Sequence, residues 1–404
     1  MIDLHTRTVP DLDGILRRAL AGGRLGAEEG YRLIHAAGSD LASIMAAASG
    51  LRDRGHGRTV TYSRKVFIPL TNLCRQKCGY CTFARAPRDP IAHTMTPDEV
   101  LAVARAGQRQ GCKEALFSLG ERPEEVYDVV RGDLAHYGHR TMSSYLREMC
   151  GLVLRETGLL PHVNQGIMER EEIASLREVS ASMGLMLETV SERLHGRGMA
   201  HWNCPGKLPA ERLRTMRHAG ELRVAWTTGI LIGIGETREE RVDSLLAIRD
   251  LHDAYGHIQE VIVQNFRVKE DIAMRRRDEP SVFEMLRTIA TARLLLGAEM
   301  NIQAPPNLAP DAHGMYLLAG INDWGGVSPV TRDHINPERP WPDLLDLRET
   351  TADAGFELRE RFGLYPEYVR EDGGFAGFVP DAVRPAFARL ADGRGLVRAE
   401  EERW

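Results

Sequence analysis

Apolar and polar positions fall into two regimes along this chain. Up to about residue 60 the sequence reads as helical and polar-flanked: "DLDGILRRALAG", "AEEGYRLIHAAG" and "DLASIMAAASGLRDRG", punctuated by Gly and Asp. From residue 65 short β-rich runs begin, each followed by a longer helical pattern. The strand candidates are "KVFIPL" from 65, "EALFSL" from 114, "LPHVNQ" from 160 and "GLMLET" from 184. Four more are "TTGILIGIG" from 227, "EVIVQNF" from 260, "AEMNIQA" from 298 and "INDWGGV" from 321. Between them lie helical stretches such as "TPDEVLAVARAGQRQG" and "REERVDSLLAIRDLHDAYG". Alternation of this length implies an α/β fold with a parallel sheet. Eight strand signals predict a TIM-type (β/α) barrel, with a doubly wound open sheet as the alternative. The expected organisation is a helical N-terminal extension at 1–60, the barrel at 61–365, and a C-terminal tail with a short helix at 366–404.

Working residues of a parallel barrel sit at the C-terminal ends of its strands. The chemically able residues fall there. Cys74 follows the first run, Gly120 and Glu121 the second, and Asn164 and Gln165 end the third. Glu188 ends the fourth, Gly233 to Glu236 the fifth, and Gln264 and Asn265 the sixth.

Composition narrows the function classes. The chain has 404 residues, 43% hydrophobic and 27% charged, with a net charge of −5. That balance advertises no basic face for nucleic acid. The opening residues carry charges through their apolar positions, and no run reaches the roughly 18 apolar residues of a membrane span. A cytoplasmic protein is expected, with no membrane partner. Thiols there stay reduced, so clustered cysteines bind metal or do redox work more often than they form disulfides.

Three of the six cysteines lie in "CRQKCGYC", at Cys74, Cys78 and Cys81. A structural zinc site wants four ligands, and the remaining cysteines are isolated. A redox dithiol needs only "CGYC", which leaves Cys74 surplus. Three thiolates can instead hold a [4Fe–4S] cube with one iron open to a small molecule. The spacing favours this third reading. The lone cysteines, the 14 methionines and most histidines form no ligand constellation, so no auxiliary cluster is expected.

C-x3-C-x2-C with an aromatic, Tyr80, before the last cysteine resembles the signature of radical S-adenosylmethionine (SAM) enzymes. That resemblance implies a six-unit barrel core, here extended toward eight. It implies that the open iron binds the amino and carboxylate groups of SAM. One electron then yields methionine and a 5′-deoxyadenosyl radical, chemistry that belongs to the cofactor. Tyr80 is thereby placed at the cofactor. In "FSLGERPE", Ser118, Gly120 and Glu121 match the turn that holds the methionine ammonium; a plain strand–helix turn reads the same way. In "MLETVSERL", Glu188, Ser191 and Arg193 match the ribose and carboxylate contacts, although Ser191 is also a good helix cap. In "GILIGIGET", Gly233 and Gly235 match the family's glycine motif beside SAM; the Lys-Ser/Thr of a phosphate loop is missing. Gln264 and Asn265 in "VIVQNFR" face adenine, substrate, or merely the strand end. No residue is assigned to the chemical step itself.

A narrower resemblance covers residues of about 60 to 345. "VFIPLTNLCRQKCGYCTFARAP", "EALFSLGERPEE", "TTGILIGIGETREERVDSLLAIRDLHDAYGHIQEVIVQNFR" and "GINDWGGVSPVTRDHINPERPWP" are similar to the cyclising half of FO synthases of coenzyme F420 biosynthesis. A single cysteine triad separates the chain from the fused two-barrel form. The resemblance implies a carbon–nitrogen lyase. Its substrate is the adduct of tyrosine and 5-amino-6-ribitylaminouracil, supplied by a sister radical SAM subunit. Hydrogen abstraction, ring closure and loss of ammonia then give 7,8-didemethyl-8-hydroxy-5-deazariboflavin (FO). An external donor such as ferredoxin or flavodoxin supplies the electron. Asn301, Gln303, Asn322 and Asp323 are candidates for the uracil and ribityl groups. The sequence departs from the pattern at Cys204 in "HWNCPGK", where serine is usual, at Gln165 in "VNQG", where proline is usual, and at Trp226 in "VAWTTG", where the usual pair is Pro-Phe. These three, with Asn164, are substrate-side candidates. They leave open a related enzyme acting on a different tyrosine- or pyrimidine-derived substrate.

Overall fold

A computed structural model describes residues 11–370 and 376–399. The first ten residues of the N-terminal extension, and residues 371–375 and 400–404 of the expected tail, lie outside the described residues. The eight expected runs each yield a strand: β1 (Thr59–Ile68), β2 (Glu114–Ser118), β3 (Leu160–Asn164), β4 (Ser182–Gly184), β5 (Trp226–Ile232), β6 (Ile258–Asn265), β7 (Ile302–Gln303) and β8 (Asp323–Val327). Neighbours in sequence pair in parallel, and β1 bonds both β8 and β2, so the sheet closes on itself. Closure rules out the open doubly wound sheet. The strands read as continuous apolar runs because both faces are covered: all five residues of β2 are buried. The outer face is packed by helices such as Pro97–Arg109 and Arg238–Tyr255, each started by a threonine and glutamate capping box, Thr96 with Glu99 and Thr237 with Glu240.

The helices Leu12–Leu20, Ala27–Ile34 and Ser39–His56 do not stand apart from the barrel. Ile15, Leu33 and Ile44 share one apolar core with Val242, Leu245 and Ile289 of the barrel helices.

Two departures from the sequence reading matter for the site. The fourth strand is shorter and earlier than "GLMLET" suggested. Beyond Gly184 the chain still follows β5, with Leu185 N bonding Thr227 O at 2.9 Å and Glu188 N bonding Gly229 O at 3.0 Å. Glu188 there is left-handed, with φ of 66°, a conformation costly for a residue with a Cβ.

The other departure is a ninth strand, β9 (Glu357–Arg361). Its run "ELRER" is too polar to announce a strand, as befits a sheet edge. β9 pairs with the first half of β1, Thr59 opposite Glu357 to Ser63 opposite Arg361. The second half of β1 pairs with β2, Lys65 opposite Glu114. The chain after β9 then passes beneath the barrel. Gly363 O accepts from Ser182 Oγ at 2.9 Å and Gln259 Nε2 at 3.1 Å, and Tyr365 N donates to Gln259 Oε1 at 3.2 Å. The N-terminal end of the barrel is thus stoppered by backbone.

Candidate active site

The three cysteines lie in the irregular connection between β1 and the helix Pro97–Arg109. The turn after β2 is bonded to this loop. Gly120 N donates to Thr71 O at 2.8 Å, and Arg75 N donates to Glu121 O at 3.1 Å. A Cβ on Gly120 would stand 1.8 Å from Leu73 O, so only glycine permits this approach. The Glu121 carboxylate clamps the loop from the side. Its Oε1 accepts from Gln76 at 2.5 Å and Arg75 at 3.1 Å, and its Oε2 from Ile167 N at 3.3 Å. On the far side, Gly79 N bonds Ala200 O at 2.8 Å and Gly79 O receives Met274 N at 2.9 Å. Tyr80 reaches His201 Nε2 at 3.1 Å. Burial pushes His201 down to about 2, so the ring is neutral.

A cavity of about 330 Å³ runs down the barrel from this loop. Cys74, Cys78 and Cys81 line its mouth with Tyr80, Ser118, Gly120, Glu121 and Glu188. Lys207 Nζ sits 2.5 Å from Glu188 Oε1, both side chains nearly inaccessible. Phe67, Leu116, Leu185 and Ile262 form an apolar belt below. Asn164, Gln264 and Gln303 add polar groups to the wall.

Other expected residues are placed elsewhere. Ser191 Oγ and Arg193 both bond Glu240, at 2.6 and 2.8 Å, and Arg193 also bonds Gly235 O at 2.9 Å. They fasten the end of β5 to its helix outside the cavity lining. Gly233 takes a positive φ of 90° and its absent Cβ leaves room for Pro280, 2.5 Å away. Gln165 turns to Ser143 Oγ at 3.2 Å, and Asn265 to Leu308 O at 3.3 Å. Trp226 is fully buried in the core. Asn301 and Asn322 bond each other at 2.8 Å below the cavity, where Arg293 also holds Asn322 at 2.8 Å. Asp323 is committed to Arg361 at 2.7 Å. Cys204 lies outside the lining, beside Cys78, with its thiol donating to Trp202 O at 3.4 Å.

Sequence reasoning missed several lining residues. At the mouth these are Gln76, Lys207 and Arg212. On the floor they are Lys65, Glu114, His162, Thr227, Glu260 and Arg361. A signal was present: Lys65, Glu114 and Glu260 are the charges that open the apolar runs "KVFIPL", "EALFSL" and "EVIVQNF".

The donor set fits an iron–sulfur cluster. Cys74 Sγ receives backbone N–H groups from Gln76 at 3.3 Å and Glu121 at 3.2 Å. Backbone N–H groups of Phe83 and Ala84 do the same for Cys81. Such amides stabilise sulfur that carries negative charge. Without metal, burial pushes the Cys74 thiol up to about 12, so loading must release protons. Among the described residues no group of three or more Cys, His, Asp or Glu is arranged for a lone metal ion.

The radical SAM superfamily profile matches residues 68–248. A 7,8-didemethyl-8-hydroxy-5-deazariboflavin synthase of Methanopyrus kandleri is 49% identical over 339 residues, covering 84% of this chain and all of that protein.

The chain belongs to the 7,8-didemethyl-8-hydroxy-5-deazariboflavin synthase family.

The FO synthase of Nocardia farcinica is 52% identical over 366 residues, covering 88% of this chain and 42% of its own. That of Mycobacterium tuberculosis is 47% identical over 401 residues, covering 95% and 46%. The chain therefore spans less than half the length of these two relatives and the whole of the Methanopyrus protein. Among solved structures, methylornithine synthase superposes with a TM-score of 0.67 at 20% identity, covering 85% of this chain and 97% of that one. The FeFe-hydrogenase maturase HydG of Carboxydothermus hydrogenoformans gives 0.70 at 17%, covering 91% and 81%. At those identities the likeness speaks for the barrel alone. Membership of the deazariboflavin synthase family, a branch of the radical SAM enzymes, implies an iron–sulfur cluster and SAM.

Proposed function

We propose that this chain closes the deazaflavin ring. It takes the adduct of tyrosine and 5-amino-6-ribitylaminouracil and forms 7,8-didemethyl-8-hydroxy-5-deazariboflavin with release of ammonia. The observation that carries the reading is the match along the whole Methanopyrus synthase, joined to a cysteine triad at the mouth of a deep cavity. Cys74, Cys78 and Cys81 are the residues that would hold a [4Fe–4S] cluster. Cluster and SAM, when bound, supply a 5′-deoxyadenosyl radical. The chain's own contribution is placement and exclusion. Gly120 lets the turn after β2 pack directly on the cysteine loop that would hold the cluster, Glu188 and Lys207 put a fixed charge pair beside it, and Ser118 offers a hydroxyl. The apolar belt of Phe67, Leu116, Leu185 and Ile262 keeps water from a carbon radical.

The three departures from the family pattern do not weigh against this substrate. Gln165, Cys204 and Trp226 all lie outside the cavity lining, so the wall that meets substrate is untouched by them. The reading includes the barrel unit at 61–365, a sister radical SAM subunit as supplier and a ferredoxin or flavodoxin as donor. It also includes a cytoplasmic location, in keeping with the finding that no helix among the described residues is long and apolar enough to cross a membrane.

The test is an anaerobic turnover of the reconstituted protein with SAM, reductant and the adduct, following 5′-deoxyadenosine and FO together. Both products rising in step support the cyclase. Deoxyadenosine without FO rejects this substrate and keeps the radical chemistry.

A further inference from the structure

The floor of the cavity is charged, as its mouth is. Lys65 Nζ lies 3.1 Å from Glu114 Oε1, and Ser63 Oγ donates to Glu114 Oε2 at 2.5 Å. Across the barrel, Glu260 accepts from Thr227 Oγ1 at 3.0 Å and Arg361 Nη2 at 3.2 Å. Arg361 in turn is forked onto Asp323 at 2.7 and 2.8 Å. His162 gives its Nδ1 to Ser182 at 2.7 Å, which leaves Nε2 for a ligand. Glu114 is 1% exposed, Arg361 2% and Glu260 5%, yet all three line the cavity. Charges are not kept there for stability, since a well-packed apolar floor would serve as well or better.

Small residues hold the groups in place. A Cβ on Gly326 would stand 1.7 Å from Lys65 Cε, and one on Gly184 would stand 3.1 Å from His162 Nε2. The backbone itself is cut away to seat these side chains. Burial opposes ionisation of Glu114, but Lys65, His162 and Ser63 hold its carboxyl down at about 2, so it remains an acceptor.

We infer that this floor is a polyol subsite that holds the neutral ribityl chain of the substrate, with Glu114, Thr227 and Glu260 as its principal hydrogen-bond partners. The inference rests on the cyclase reading and deepens it. A hydroxyl both donates and accepts. The floor offers acceptors in Glu114 and Glu260, donors in Lys65 and Arg361, and further acceptors in Thr227 Oγ1, whose proton goes to Glu260, and His162 Nε2. A flat ring suits the apolar belt above instead. Glu114 and Ser118 are four residues apart on one strand, so about 13 Å separates floor from mouth. The chain and the reacting end of the substrate thus take opposite ends of the cavity. The floor also selects against an anion, because two cations face three carboxylates, Glu114, Glu260 and Asp323.

The test uses reconstituted holoenzyme without reductant, in anaerobic equilibrium dialysis. Three adducts are compared: with ribityl, with methyl in its place, and with a terminally phosphorylated ribityl. The wild type is expected to bind the ribityl adduct at least about tenfold more tightly than either other, the usual scale for buried polar groups left unpaired. Thr227→Val, which keeps the volume, and Glu114→Gln should each shrink that preference severalfold. FO formation is assayed alongside. If FO forms from the ribityl adduct while the methyl or phosphorylated adduct binds equally well, the polyol floor is overturned and the cyclase reading stands. Full preference retained in both variants overturns it too. If no adduct binds and no FO forms, the cyclase reading fails and the polyol subsite falls with it.

Discussion

Lys207 and Glu188 form an ion pair 2.5 Å long at the mouth of the barrel cavity, with side chains 12% and 8% exposed. Glu188 holds a left-handed backbone to make it. Removing one partner strands the other charge in a dry place. Lys207→Met and Glu188→Leu should each cost about 3 kcal/mol, and the double variant clearly less than their sum. Denaturant midpoints of the four proteins measure this. Simple additivity would show that the two residues are not energetically coupled.

Gly120→Ala should strip the protein of iron. The added methyl collides with the Leu73 carbonyl that the cysteine loop presents at 1.8 Å, and backbone cannot swing away as a side chain can. Gly132→Ala is the matched control. Gly132 lies in the helix Asp128–His136 with nothing within 4 Å of its missing Cβ, so that change should stabilise by up to about 1 kcal/mol. Iron per chain after reconstitution separates the two.

Cys204 touches Cys78, yet it is outside the cavity lining. Cys204→Ala should therefore keep the iron content and the charge-transfer absorbance of the wild type. Cys78→Ala should lose both, and SAM cleavage with them. Equal losses in the two variants would make Cys204 a ligand.

Stability should fall as pH drops below about 6.5. Burial depresses His162 to about 4, His56 and His257 to about 3, and His201 to about 2. Below 6.5 the unfolded chain takes up protons that these folded histidines refuse, so acid favours unfolding. Each contributes up to about 1.4 kcal/mol per pH unit in that window. Glu367, raised by burial to about 7, works in the opposite sense and is outnumbered. A melting temperature that rises between pH 7 and pH 5 would contradict this.

The strands and the cysteine triad were legible because each leaves a local mark: apolar runs at regular intervals, and three thiols within eight residues. The polar floor was not, although its charges stand in plain view at Lys65, Glu114 and Glu260. What makes them a site is the register of β1 on β2 and of β5 on β6, together with Arg361 arriving from a strand almost 300 residues after Lys65. No local pattern carries a pairing of that separation. Gln165 and Trp226 were singled out as departures from the family pattern and Asn301 as a polar residue late in the barrel, and at each the side chain's direction decides its role. A shift of one residue turns such a group from the cavity to the helices.

β9 and the turn after it stopper the barrel from below. A vessel with one opening is filled and emptied in order. Whatever occupies the depths must go in before the opening is covered and can come out only after it is cleared. On the proposed cyclase reading, with SAM at the cysteine mouth, the adduct must bind first. FO must then wait for methionine and deoxyadenosine to depart, and every turnover ends with an empty mouth before the floor is released.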